Sequence, residues 1–186
     1  MAKTSILELA LLGLLQQQAQ SGYDLRKTFA NTAMRHFSDS PGSIYPALRR
    51  LQSRGWIALE TPSKPVKPDA RKRQVFHMTK AGTAALVGIL SQPVTRDDVI
   101  WRDTELILRF AFMDGNVPRV TTLRFLTQFE EVLGAYVAEL HADFAHICTT
   151  MPLDTGLLAF QQGIEGMEAQ LDWARRARAR LAEDTK

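Results

Sequence analysis

Residues 119–149 and 155–183 carry apolar side chains that step by three and four along nearly their whole length, and no other pattern restricts the fold as much. The first stripe runs Leu126, Phe129, Leu133, Tyr136, Leu140 and Ile147, with a gap at Asp143 where Phe144 lies beside it. The second runs Leu157, Phe160, Ile164, Met167, Leu171, Ala174 and Leu181, with a gap at Arg178. Alternating threes and fours make a heptad-like helical seam. The intervening Met151-Pro152-Leu153-Asp154 is short enough to fold the two helices antiparallel. A lone two-helix hairpin exposes too much of such a seam. The sequence therefore predicts that Leu126, Phe129, Leu133, Tyr136, Leu140, Ile164, Met167 and Leu171 meet a second copy in a homodimer.

The helical pattern extends upstream. Residues 79–92 read as a helix interrupted at Pro93, and 97–113 as one further helix with Trp101, Leu106, Phe110 and Phe112, ended by Asp114-Gly115.

The N-terminal half is organised differently. Residues 6–18 place Ile6, Leu9, Ala10 and Leu14 at helical spacing. Ser21 and Asp24 form a capping pair that opens a second helix, which runs to about residue 32 and buries Leu25 and Phe29. Ser40-Pro41 is the third start signal, since serine accepts an orphan N–H and proline at the first helical position loses no partner. This helix runs to about residue 53 and stops at Gly55, with Ile44, Ala47, Leu48 and Leu51 as its buried stripe. Gly42, Pro46, Arg49 and Ser53 lie opposite, flanked by Ser43, Tyr45 and Arg50. That face is short, polar and basic, as a helix entering the major groove requires. Pro46 removes one backbone hydrogen bond inside the helix, so a bend or an irregular first turn is expected there.

Residues 56–60 and 74–79 read as two short strands. Their connection, 61–73, holds Lys64, Lys67, Arg71, Lys72 and Arg73 among Pro62, Pro65 and Pro68. Three helices followed by a basic two-stranded hairpin have the order of a winged helix-turn-helix, whose wing lies along phosphates or the minor groove. Charge agrees with this order. Residues 1–91 hold 13 Lys/Arg against 5 Asp/Glu, whereas the remainder hold 10 against 15. A basic half joined to an acidic one suits a polyanion partner for the first half.

Over residues 5–90 the chain resembles the PadR family of bacterial transcriptional regulators. The matching residues are Leu11-Leu12-Gly13-Leu14-Leu15, Ser21-Gly22-Tyr23-Asp24-Leu25, the run from Ser40 to Leu51, Gly55-Trp56-Ile57 and Met78-Thr79-Lys80-Ala81-Gly82. Its length is similar to that of the longer members, with a virulence-activator-type helical C-terminal region. The resemblance implies double-stranded DNA as partner, with Ser40, Gly42, Ser43, Tyr45, Pro46 and Arg49 as recognition residues. It also implies Lys72 and Arg73 as wing contacts, a cap at Thr79, and Tyr23 near the DNA backbone; packing between the second and third helices is the alternative role for Tyr23. Repression is implied by the resemblance alone. Some members bind phenolic or drug-like aromatics between helical C-terminal parts, and Trp101, Phe110, Phe112, Phe129 and Trp173 are the residues to line such a pocket. A plain aromatic core is the alternative.

The expected architecture is therefore mainly α. A winged helix-turn-helix with a two-stranded β-wing occupies residues 1–91, and an antiparallel helical dimerisation region occupies 92–186. Hydrophobic residues at 45% and charged residues at 23% suit a globular chain. Neither a membrane-length apolar run nor a signal-peptide pattern is present, so a cytoplasmic protein is expected. His36, His77, His141 and His146 are scattered, and the single Cys148 is expected to be buried or inert. No phosphate loop or nucleophile elbow occurs, so neither cofactor nor enzymatic activity is expected. The competing reading is a helical interaction module whose winged domain contacts a protein.

Overall fold

The computed structural model describes residues 4–32, 41–60 and 74–184. The chain divides into two compact units, Met1–Leu90 and Ser91–Lys186.

The first unit is built around α1 (Ile6–Gln17), which is buried continuously from Leu7 to Leu15. Ser5 and Glu8 close its first turn as a capping box. A helix buried on every side must be surrounded, and α1 contacts α3 (Pro41–Ser53), β3 (Val75–Met78) and α4 (Lys80–Leu90). Ser21 caps α2 (Gly22–Asn31) through its hydroxyl, and Asp24 returns the bond to the Ser21 backbone, as their spacing predicts. Helix α3 is continuous through Pro46. It ends at Gly55 with φ +70°, where the Trp56 N–H reaches back to the Leu51 carbonyl at 3.0 Å.

The wing strands β2 (Ile57–Leu59) and β3 pair antiparallel, with Ala58 opposite His77. The two-stranded wing is present as expected, and the sheet extends beyond it. A third strand, β1 (Gln20–Ser21), pairs with the other edge of β3 through Gln20–Phe76 and Ser21–Val75, giving the order β1-β3-β2. Two residues are too few to show a period of two. The Thr79 hydroxyl accepts from the Gly82 N–H at 3.0 Å, capping α4, and lies 2.7 Å from the Gly55 carbonyl.

In the second unit the expected single helix over 97–113 is two helices, α5 (Arg96–Trp101) and α6 (Asp103–Ala111). Arg102 breaks them with φ −142° and ψ 31°, and a Thr95–Asp98 capping box starts α5. The long helices are α7 (Arg119–Thr150) and α8 (Thr155–Glu183). They run antiparallel: Arg119 donates to the Leu181 carbonyl, Arg178 pairs with Glu130 at 2.6 Å, and His141 with Glu168 at 2.7 Å.

This pairing corrects the expectation for the seam. Leu126, Phe129, Leu133, Ile164 and Leu171 are all at most 6% exposed within one chain, because α7 and α8 close their stripes on each other. Tyr136, Leu140 and Met167 are half-buried at its margin. Cys148, expected to be buried or inert, is exposed, since it falls outside the seam. Among the described residues no helix is long and apolar enough to cross a membrane.

Candidate nucleic-acid interface

Helix α3 divides sharply between core and solvent. Ile44, Ala47, Leu48 and Leu51 are at most 1% exposed. At about 100° per residue, Gly42, Pro46, Arg49 and Ser53 then point away from the core, and all four are exposed. Ser43, Tyr45 and Arg50 are exposed beside them. Ser40, Lys64, Lys67, Arg71, Lys72 and Arg73 lie outside the described residues.

Two contacts hold this helix, one on each flank. On the α2 side the Tyr45 ring lies across Gly22, where an added Cβ would stand 2.6 Å from its Cε1. A larger side chain there would have to displace the ring. Neighbouring Tyr23 is 57% exposed, with the Arg26 guanidinium 5.4 Å from its ring centre. An exposed ring carrying a cation is a surface that can face phosphates, and Arg26 was not singled out by the sequence.

On the α1 side the anchor is Glu8, 1% exposed. Its Oε1 accepts from Arg50 Nε at 2.6 Å, while its Oε2 accepts from Arg54 Nη1 at 3.1 Å and from the Ser5 N–H at 3.2 Å. Burial alone would raise the Glu8 pKa. The hydrogen bonds from Arg50 and Ser5 and the charges of Arg54 and Arg50 outweigh it and hold the carboxyl below its ordinary value. Arg54 also packs 5.1 Å over the Trp56 ring. Sequence reasoning missed Glu8 and Arg54. The available signal was one acid inside an otherwise apolar run.

In the second unit, Phe110, Phe125, Phe129 and Trp173 form a closed ring of aromatic contacts. Phe110 and Phe129 meet Trp173 edge-on at 5.3 and 6.3 Å, and Phe125 stacks on both phenylalanines at 6.3 Å. The structure thus brings Phe110, Phe129 and Trp173 together and adds Phe125. Trp101 is 77% exposed and Phe112 is buried; among the described residues neither has a ring contact with this cluster. Beside Phe110 lies an open cleft of about 580 Å³ bounded by Ala177, Arg180, Leu181, Glu183 and Asp184. Arg109 is buried with its guanidinium 5.2 Å over Phe125, donating to the Gln92 carbonyl. Burial lowers its pKa, against the raising effect of Asp98 and Glu105.

Residues 11–87 match the model of the transcriptional regulator PadR-like family. The negative transcriptional regulator PadR of Bacillus subtilis (strain 168) is 30% identical over 81 residues, which make up 44% of this chain and 43% of that protein. The chain thus matches less than half the length of that relative. Among solved structures, Bacillus subtilis PadR in complex with operator DNA is 21% identical, covering 95% of this chain and 99% of that one at a TM-score of 0.43. The PadR-like transcriptional regulator from Bacillus cereus is 24% identical, covering 96% and 99% at a TM-score of 0.40. Over residues 11–87 the chain is thus similar to the transcriptional regulator PadR-like family.

Proposed function

We propose that the chain is a cytoplasmic, sequence-specific regulator that binds double-stranded DNA as a homodimer and represses from a pseudo-palindromic operator. The observation that carries this reading is the outward face of α3. Ser43, Tyr45, Pro46 and Arg49 stand exposed on a helix whose opposite face is anchored in the core. Such a helix offers hydrogen-bond donors to base edges without moving its own packing. Gly42 and Arg50 stand exposed on or beside the same face, Ser40 joins the readout by its place in the sequence, Tyr23 faces the DNA backbone, and Lys64, Lys67, Arg71, Lys72 and Arg73 supply the basic wing. Repression is favoured by the 30%-identical relative, a negative transcriptional regulator.

A homodimer would match the twofold symmetry of the proposed pseudo-palindromic operator. With the α7–α8 seam closed within the chain, apolar side chains outside it, such as Val120 at 60% and Leu158 at 52% exposure, suit a second copy. The test is selection of bound sequences from a random duplex library with purified protein at physiological salt. Recovery of an inverted repeat supports the regulator; a folded protein that enriches no sequence counts against it.

A second reading, a sensor of aromatic small molecules, is favoured by the ring of Phe110, Phe125, Phe129 and Trp173 beside an open cleft. Titrating phenolic acids while following tryptophan emission tests it: saturable quenching that disappears in W173F supports a pocket, and unchanged emission supports a plain core.

A further inference from the structure

We propose that Arg26 binds a backbone phosphate of the duplex and that Tyr23 is its positioning residue, acting through the ring that carries the Arg26 guanidinium and not through the hydroxyl. This rests on the DNA-binding reading above and adds a contact on α2 that neither the recognition helix nor the wing supplies.

The placement starts from the packing of α2. Leu25 and Phe29 are fully buried, whereas Tyr23, Arg26 and Lys27 are exposed. Spacings of three and four put these three side chains on one face, where with Ala30 and Asn31 they line an open cleft of about 450 Å³. The N-terminal end of this face adjoins α3, because Gly22, next to Tyr23, lies under the Tyr45 ring. A duplex seated on the outward face of α3 therefore runs its backbone past the start of α2.

The cations of this unit are held in two ways. Arg50 and Arg54 are paired with the Glu8 carboxylate. Among the described residues Arg26 and Lys27 have no ion pair, and the Arg26 guanidinium lies 5.4 Å from the centre of the Tyr23 ring. A ring face holds a guanidinium without occupying its N–H donors or cancelling its charge. The charge stays available to a phosphate, while the side chain is already restricted to one region above the ring. Apparent affinity scales with the population of the binding-competent conformer. Ordering Arg26 before the encounter therefore tightens the complex without any contact from the tyrosine hydroxyl.

The experiment measures binding of full-length wild type, Y23F, Y23L, R26Q and Y23L/R26Q to selected operator and to random duplex as a function of salt. R26Q should make the slope of log affinity against log salt shallower by about one per subunit on both duplexes. Y23F keeps the ring and should bind as the wild type does. Y23L should weaken both duplexes alike by about two- to fivefold per subunit, the share that an exposed guanidinium–ring contact can hold. In Y23L/R26Q nothing further should be lost beyond R26Q. The operator-to-random ratio should stay constant throughout, since a phosphate contact adds the same free energy to every sequence. A wild-type slope in R26Q places Arg26 off the phosphates and overturns the proposal while the wild type still binds. Equal losses in Y23F and Y23L make the hydroxyl the contact, and additive losses in the double variant make Tyr23 independent of Arg26; either overturns the positioning role. A wild type that binds no duplex removes the DNA-binding reading, and the proposal with it. Should Y23L not fold, R26Q and Y23F carry the test, since a shallower slope in the first and unchanged binding in the second are both required.

Discussion

The Tyr45 ring crosses Gly22 so closely that a methyl group there would come within 2.6 Å of Cε1 and 3.0 Å of Cζ. The ring is 43% exposed, so in G22A it swings outward instead of driving α2 and α3 apart. Stability should fall by only about 1 kcal/mol, while operator affinity falls roughly tenfold because Tyr45 leaves the recognition face. Chemical denaturation together with operator binding separates the two effects. A large stability loss with normal binding by the folded fraction would show that the ring is a strut and no part of the interface.

Gly82 gives the contrasting case. Its added Cβ would lie 1.9 Å from the Trp56 carbonyl oxygen, and backbone cannot swing away. G82A should cost about 3 kcal/mol or more, read as a lower urea midpoint with an unchanged slope.

Arg49 stands on the outward face of α3, and Lys72 belongs to the basic segment between the wing strands. R49A should lose about 1–3 kcal/mol of discrimination at one operator position if the guanidinium reads a guanine. K72A should weaken all sequences alike and reduce the salt slope. For a dimer neutralising about four phosphates per subunit, the wild-type slope is roughly −7. Uniform weakening by R49A would make it a phosphate contact.

Acid should loosen α3 from α1. The Glu8 carboxyl is held below its ordinary value of 4.5. The unfolded chain therefore takes up this proton first as pH falls. The stability from the clamp is complete above about 4.5 and is lost as pH drops through the lower folded-state value. Thermal melts between pH 7 and pH 3 should show a decline that is shallower in E8Q. Parallel profiles for the two proteins would mean that Glu8 contributes nothing to acid unfolding.

What the sequence displays follows from how local each cause is. The stripe Ile44, Ala47, Leu48 and Leu51, the Ser21–Asp24 cap and the long rhythm of α7 and α8 are periodic or short-range, and all are legible. The Arg102 break depends on one backbone conformation between two short helices, which apolar spacing does not register. Strand β1 exists only because β3 lies beside Gln20 and Ser21. The Glu8 clamp joins residues 42 and 46 positions apart; no window along the chain contains it. Likewise the seam's apolar stripes are visible, but whether they close on each other or on a second copy is a question of tertiary structure.

Ser21 has two duties, as the Cα partner of Val75 in the sheet and as the residue whose hydroxyl starts α2. The root of the wing and the first turn of the helix-turn-helix therefore share one residue, like two spokes on one hub. A tug on β3 from a bent or widened groove would arrive at α2 without passing through the apolar core. On the proposed DNA-binding reading, the wing would be a lever whose fulcrum lies at the threshold of α2.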